Sequence, residues 1–117
     1  MSITRIGLGA RMSKAVRHGY TIYLAGQVPD DAKEDVAGQT RQVLSKIDAI
    51  LAEAGTDKSY LLSATIYLRD IATFNQMNEV WDAWVDPKNT PARATVEAKL
   101  ARPDFGVEIS VIAATKV

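Results

Sequence analysis

Between residues 36 and 85 the chain changes hydrophobic period twice, and this limits its fold more than any other feature. From residue 36 to 54, Val43, Leu44, Ile47, Ile50, Leu51 and Ala54 recur at helical spacing, and Gly55 follows where a left-handed cap belongs. Residues 61–68, Leu-Leu-Ser-Ala-Thr-Ile-Tyr-Leu, then read as a central strand. A second helical stripe carries Phe74, Met77, Trp81, Trp84 and Val85, with Asp70 at the N-cap position and an end before Pro87. Around this middle lie strand candidates at 12–18 and 20–25, joined by a turn at His18-Gly19, and at 93–100 and 107–114, joined by Ala101-Arg102-Pro103-Asp104-Phe105-Gly106. Gly26-Gln27-Val28-Pro29-Asp30-Asp31 reads as a loop. The order is β-β-α-β-α-β-β, an α+β mixed β-sheet formed by one domain spanning residues 1–117. Right-handed crossovers put both helices on one face of that sheet.

Two helices cover only one face, yet several strands are apolar on both: Ile22, Tyr23 and Leu24; Ile66, Tyr67 and Leu68; Val111 and Ile112. A bare apolar sheet face is a poor end state in water, so a second copy of the chain is expected to cover it, with closed ring symmetry. Composition excludes several partners and chemistries. Fourteen acidic residues balance fourteen basic ones, leaving no net field to attract nucleic acid or an anionic membrane. There is no cysteine, hence no disulfide, thiolate nucleophile or cysteine metal site, which suits the cytoplasm. His18 is the only histidine, so multi-histidine metal sites and histidine triads lack material. No apolar run approaches the roughly 20 residues of a membrane span, and the first residues show no signal-peptide core. Gly7-Leu8-Gly9 is followed by Ala10-Arg11-Met12 and is no dinucleotide fingerprint.

Three residues stand out as carriers of chemistry. In Pro91-Ala92-Arg93-Ala94-Thr95-Val96-Glu97, Ala94, Val96, Ala98 and Leu100 share one strand face and Arg93, Thr95, Glu97 and Lys99 the other, with Pro91 marking the strand entry. Arg93 therefore sits at a sheet margin, either as a planar fork for a small carboxylate or as one more solvated cation. Glu108 lies among Val107, Ile109 and Val111; it faces a cleft, or it pairs with Lys99 across a hairpin centred on Pro103-Asp104. That hairpin register places Arg93 opposite Ala114, about 20 Å from Glu108. Both residues then reach one small molecule only if the site lies between subunits. Asn78, at the apolar border of the second helix, either joins such a site or bonds nearby backbone. Trp81 and Trp84 read as core or interface anchors.

Taken together, Tyr23-Leu24-Ala25-Gly26-Gln27-Val28-Pro29, Ala54-Gly55, Tyr67-Leu68-Arg69-Asp70 with Phe74 and Asn78, Pro91-Ala92-Arg93, and Val107-Glu108-Ile109 with Ile112-Ala113 resemble the RidA/YjgF family from about residue 12 to 114. The resemblance implies a chorismate-mutase-like subunit in a homotrimer with clefts between neighbours, and no cofactor. It implies hydrolysis of 2-aminoacrylate, 2-iminopropanoate and related imines to a 2-keto acid and ammonia. Arg93 matches the family's carboxylate-binding arginine, and Glu108 the glutamate that positions or activates water. Asn78 matches an asparagine near the cleft, and Gly26 a glycine whose backbone lines it. The chain departs from better-known members in having Ala25 for a serine or threonine, Met12 at or near a cleft tyrosine, and Thr95 for a cysteine. The lost hydroxyls point to altered or reduced deaminase activity. A non-catalytic trimer that binds keto acids is the alternative. The ribonuclease or translation-inhibitor role of some relatives fits poorly with a neutral chain lacking a histidine pair.

Overall fold

The computed structural model describes residues 2–116. The chain runs β1 (Ile3–Ile6), β2 (Ala15–His18), β3 (Thr21–Leu24), α1 (Val36–Glu53), β4 (Leu61–Leu68), α2 (Phe74–Trp84), β5 (Ala92–Glu97) and β6 (Val107–Ala114). The strands form one six-stranded mixed sheet in the order β1-β2-β3-β6-β4-β5. Both helices lie on one face, as the alternation requires: Ile22, Ala64, Ile66, Leu68, Val107, Ile109 and Val111 are buried with Val43, Leu44, Ile47 and Leu51 of α1 and Met77 and Trp81 of α2. Full burial of each large aliphatic side chain contributes about 1.5–3 kcal/mol, so this interlayer core dominates stability.

Local signals act where the sequence places them. Asp35 accepts from Gly38 N and caps α1, and Gly55 takes φ +80° just past its end. Gly19, at φ +65°, opens the two-residue turn between β2 and β3. Asp70 caps a single 3-10 turn at residues 71–73, accepting from Ala72 N, and α2 begins only after it. Among the described residues no helix is long and apolar enough to cross a membrane.

Four expectations are corrected. An additional strand, β1, pairs antiparallel with β2. The predicted strand at 12–18 starts only at Ala15, leaving Met12 in the loop before it. β5 and β6 do not form a hairpin: β5 pairs parallel with β4, while β6 inserts antiparallel between β3 and β4. Accordingly Glu108 lies opposite Tyr67, not Lys99, and Arg93 lies beside Ala64, not Ala114. Finally, the apolar side of β5 does not face the core. Ala64 and Ile66 look toward the helices, so their partners Arg93 and Thr95 do too, while Ala94 and Val96 face away.

Candidate functional site

Arg93 is at the sheet edge, on the helix side. Its guanidinium carbon stands 5.3 Å from the Trp81 ring centre and 5.9 Å from that of Phe74. Phe74, Asn78 and Trp81 recur at i, i+4 and i+7 on α2, so one helix face presents all three to the strand. Cation–π contact of this kind contributes about 0.5–2 kcal/mol and holds the fork beside α2. Among the described residues the Arg93 guanidinium donates to no carboxylate or carbonyl. Arg69 is the opposite case: it donates to the carbonyl oxygens of Phe105, Leu100 and Arg102 and is consumed in fastening that loop. Of these two arginines, Arg93 keeps its whole fork for an anion, whereas Arg69 has three of its five donors committed to that loop.

Two further polar atoms flank it. Thr95 is two residues along the same face of β5, and Asn78 lies between the two rings on α2. Asn78 Oδ1 and Thr95 Oγ1 are buried with no hydrogen-bond partner. Leaving such groups unpaired costs roughly 1–3 kcal/mol each, so they mark a place where the fold is not optimised for itself. The local backbone bond that sequence alone allows for Asn78 is not made by this oxygen.

Glu108 belongs to a second cluster on the other face. Its neighbours Val107 and Ile109 are buried toward the helices, so its side chain points to the open side. There it shares an open cleft of about 460 Å³ with Gly26, Tyr67, Lys99 and Ser110. Backbone bonds between Gln27 and Ile109, 2.8 and 3.1 Å long, bring Gly26 against it. A Cβ on Gly26 would overlap Glu108 Oε2, so only glycine allows this approach. Among the described residues Glu108 forms no salt bridge; Lys99 lines the cleft without pairing with it.

Ala25 N donates to Lys14 O at 2.9 Å, extending the β2–β3 ladder, and its own oxygen accepts from Gln27 Nε2. Met12 lies two residues before Lys14, in a loop where it is 61% exposed. The structure thus gathers Arg93, Asn78 and Thr95 in one cluster and Glu108 with Gly26 in another, with Ala25 adjoining the second through the chain. It does not join the two. Arg93 and Glu108 lie on opposite faces, two strands and three residues apart, about 14 Å between backbones. Sequence reasoning missed the pairing of Phe74 and Trp81 with Arg93, although the i, i+4, i+7 spacing carried that signal. It also missed Tyr67 and Ser110 beside Glu108. A depression of about 470 Å³ between α1 and α2 is separate from both clusters; there Trp84 Nε1 donates to Asp48 and Lys58 lies over the indole.

Residues 3–115 match the family model described as Endoribonuclease L-PSP. A RutC family protein of Haemophilus ducreyi is 49% identical over 112 residues, covering 96% of each chain. The RutC family protein YoaB of Escherichia coli is 45% identical over 97% of this chain and 99% of its own. A crystal structure of a YjgF family member from Neisseria meningitidis superposes with a TM-score of 0.97 at 49% identity, covering 100% of this chain and 98% of that one.

Proposed function

The chain belongs to the YjgF/RutC family, and on that premise we propose that it hydrolyses small 2-enamino and 2-imino acids to 2-keto acids and ammonia, in clefts completed by neighbouring copies of a homotrimer. The observation that carries the reading is Arg93: a planar, always-charged fork beside two aromatic rings, with unused donors at the sheet edge. Its natural counterpart is a carboxylate, gripped through two parallel N–H···O bonds.

Glu108 supplies the other role. Because it projects from the opposite face, the Glu108 that serves a given Arg93 comes from a neighbouring copy. The substrate carboxylate rests on Arg93, which fixes the imine carbon. Glu108 takes a proton from water as its oxygen bonds that carbon and passes it to the imine nitrogen. In the resulting carbinolamine Glu108 carries the hydroxyl proton to the amine nitrogen as the C–N bond breaks, releasing ammonia and leaving the ketone. Since such imines already hydrolyse in water, positioning and one general base suffice.

One observation favours a second reading, that of a keto-acid-binding module. Ala25, next to Gly26, offers a methyl group and no hydroxyl to the ligand. RNA cleavage, named in the family model, has less support: the chain is neutral and its one histidine is exposed at a strand end. The deciding assay generates 2-iminopropanoate with a serine dehydratase in the presence of semicarbazide. Wild-type protein is expected to divert imine from the trap, and Arg93→Ala to lose that effect. If wild type diverts none while calorimetry shows keto-acid binding, the module reading replaces the enzyme.

A further inference from the structure

The cleft that holds Glu108 contains a second charged group that the proposed hydrolysis does not use. Lys99 lines it together with Tyr67 and Ser110, and Ala98 and Leu100 form an apolar wall beside it. The stretch carrying Lys99 is fastened on both sides: Ala98 N donates to Leu68 O at 2.9 Å, and Arg69 Nη2 donates to Leu100 O at 3.3 Å. Among the described residues the ion pairs are Lys46–Asp30, Arg102–Asp104 and Lys116–Asp57, and Lys99 belongs to none of them. Ser110 is two residues from Glu108 on the same face of β6, and Tyr67 stands opposite Glu108 across the β4–β6 ladder. With Glu108 given to water, the polar groups left in the cleft are an ammonium, which only donates, and two hydroxyls that donate beside it. The cleft volume of about 460 Å³ is that of a site for ligands well beyond three carbons, since pockets of roughly 300–1,000 Å³ enclose drug-sized molecules.

We propose that Lys99 reads an anionic group at the far end of the substrate's side chain, so that the site prefers 2-imino dicarboxylates to imines with a plain aliphatic side chain. This rests on the roles proposed above for Arg93 and Glu108. With the first carboxylate on Arg93 and the imine carbon before Glu108 of the neighbouring copy, the side chain leaves that carbon along the wall of the same cleft. It passes Ala98 and Leu100 and ends near Lys99. An aliphatic end leaves the ammonium to water, whereas a carboxylate end accepts from the ammonium and from the hydroxyls of Tyr67 and Ser110. The ammonium also offsets the repulsion that a second ligand carboxylate meets from Glu108. Because Lys99 is exposed, the preference has the size of a solvent-screened charge pair and is a bias between substrates, not an absolute requirement.

Two imines of equal chain length test it: 2-iminoglutarate and 2-iminopentanoate, generated from glutamate and norvaline by amino-acid oxidases with catalase present, and followed by their diversion from semicarbazide. Wild-type protein in its native assembly is expected to show kcat/KM about twofold to fivefold higher for the dicarboxylate, the effect of a screened charge pair. Raising the salt to about 0.5 M should bring the ratio close to one. Lys99→Met, of similar length without the charge, should bring it to one or below, because Glu108 then repels the second carboxylate unopposed. Lys99→Arg should keep the preference. Taking the ratio of two substrates cancels any general loss of activity in a variant. A wild-type ratio of one or less, or a preference that survives both salt and Lys99→Met, would overturn the inference. So would failure to divert either of these longer imines while 2-iminopropanoate is diverted in the same preparation, and in each of these cases the deaminase reading stands. If 2-iminopropanoate is not diverted either, the deaminase reading falls and takes this inference with it.

Discussion

The two faces of the sheet differ in what completes them. On the helix face, Ile22, Ile66, Leu68, Val107 and Ile109 are 0% exposed, sealed by α1 and α2 of the same chain. On the other face Tyr23 and Val96 remain 46% and 43% exposed, and the same face carries the open cleft that holds the Glu108 carboxylate. β5 states the contrast in a single strand: its arginine and threonine turn toward the helices and its alanines and valine turn away. In a self-contained subunit that orientation wastes apolar surface. It is economical if the outward face meets another copy and the inward polar residues, at the sheet edge, meet a ligand. The comparison teaches that the subunit finishes one face and leaves the other open, with half of the candidate site on each.

The largest expected effects test whether those halves come from different copies. Glu108→Gln removes the proposed base and should lower kcat about 10²–10⁴-fold. Arg93→Ala should lower kcat/KM by roughly 10–150-fold through loss of charge-assisted bonds. Glu108→Gln should do little to urea unfolding, and Arg93→Ala should cost no more than the lost cation–π contact, about 0.5–2 kcal/mol. Co-expressed in equal amounts, the two inactive variants should recover about a quarter of wild-type activity, because a random ring pairs an intact Arg93 with an intact neighbouring Glu108 at that frequency. No recovery in verified mixed assemblies would place both groups in one chain and contradict the two-face reading.

The next effect separates the faces by their energetics. Ile66→Ala empties a site in the sealed layer and should cost about 2–5 kcal/mol in urea denaturation, whatever the protein concentration. Val96→Lys touches nothing in that layer. It should leave monomer packing intact yet shift light scattering toward the 12.7 kDa subunit. If Val96→Lys unfolds the chain outright, or leaves the assembly unchanged, the open face is not the assembly surface.

What the sequence made legible follows the same division. Leu61–Leu68 and Val107–Ala114 are read to the residue because central strands carry long apolar runs, and α1 to within one residue at its end because its stripe is sealed. β1 is illegible: four mostly exposed residues carry no stripe to read. The pairing of β6 was misjudged because a loop with Pro103-Asp104 looks like a hairpin turn, although β6 is buried between β3 and β4. Local turn chemistry does not encode which strand lies alongside. For β5 the apolar side of the alternation was visible, but not which side faces the helices, since that follows from its register with β4. Arg93 and Glu108 were legible as candidates; their opposite directions were not, because direction follows from register.

Gly26 offers a finer probe of the open side. A methyl group there would displace the Glu108 carboxylate, the movable end of a side chain in an open cleft, without disturbing the sealed core. Gly26→Ala should therefore lower activity about 100-fold, the effect of misplacing a reacting group by an ångström, with little change in the denaturation midpoint. A variant as active as wild type would show that the Glu108 position seen here is not the one that acts.

The smallest effect lies on the sealed side, where Asp86, just past α2, clips that helix to the residues before β4. Its carboxylate accepts from Ser59 Oγ at 2.7 Å, Asn89 Nδ2 at 3.0 Å and Lys88 N at 3.0 Å. The Asn89 amide foremost, then the Ser59 hydroxyl, stabilise the charged form and lower its pKa from an ordinary 3.8 to about 2. The unfolded chain thus binds this proton at higher pH than the folded chain does. The clip's contribution is complete above about pH 4, drains as pH falls from 3.8, and is gone once pH passes below about 2. Asp86→Asn should consequently be slightly less stable than wild type at pH 7, with the gap closing between pH 4 and 2. The gap should be independent of protein concentration, unlike that of Val96→Lys, because both ends of the clip belong to one chain. Urea titrations at pH 7, 4 and 2.5 measure it, and a gap that stays constant across them would show that the ionised carboxylate contributes nothing to holding α2 against the sheet.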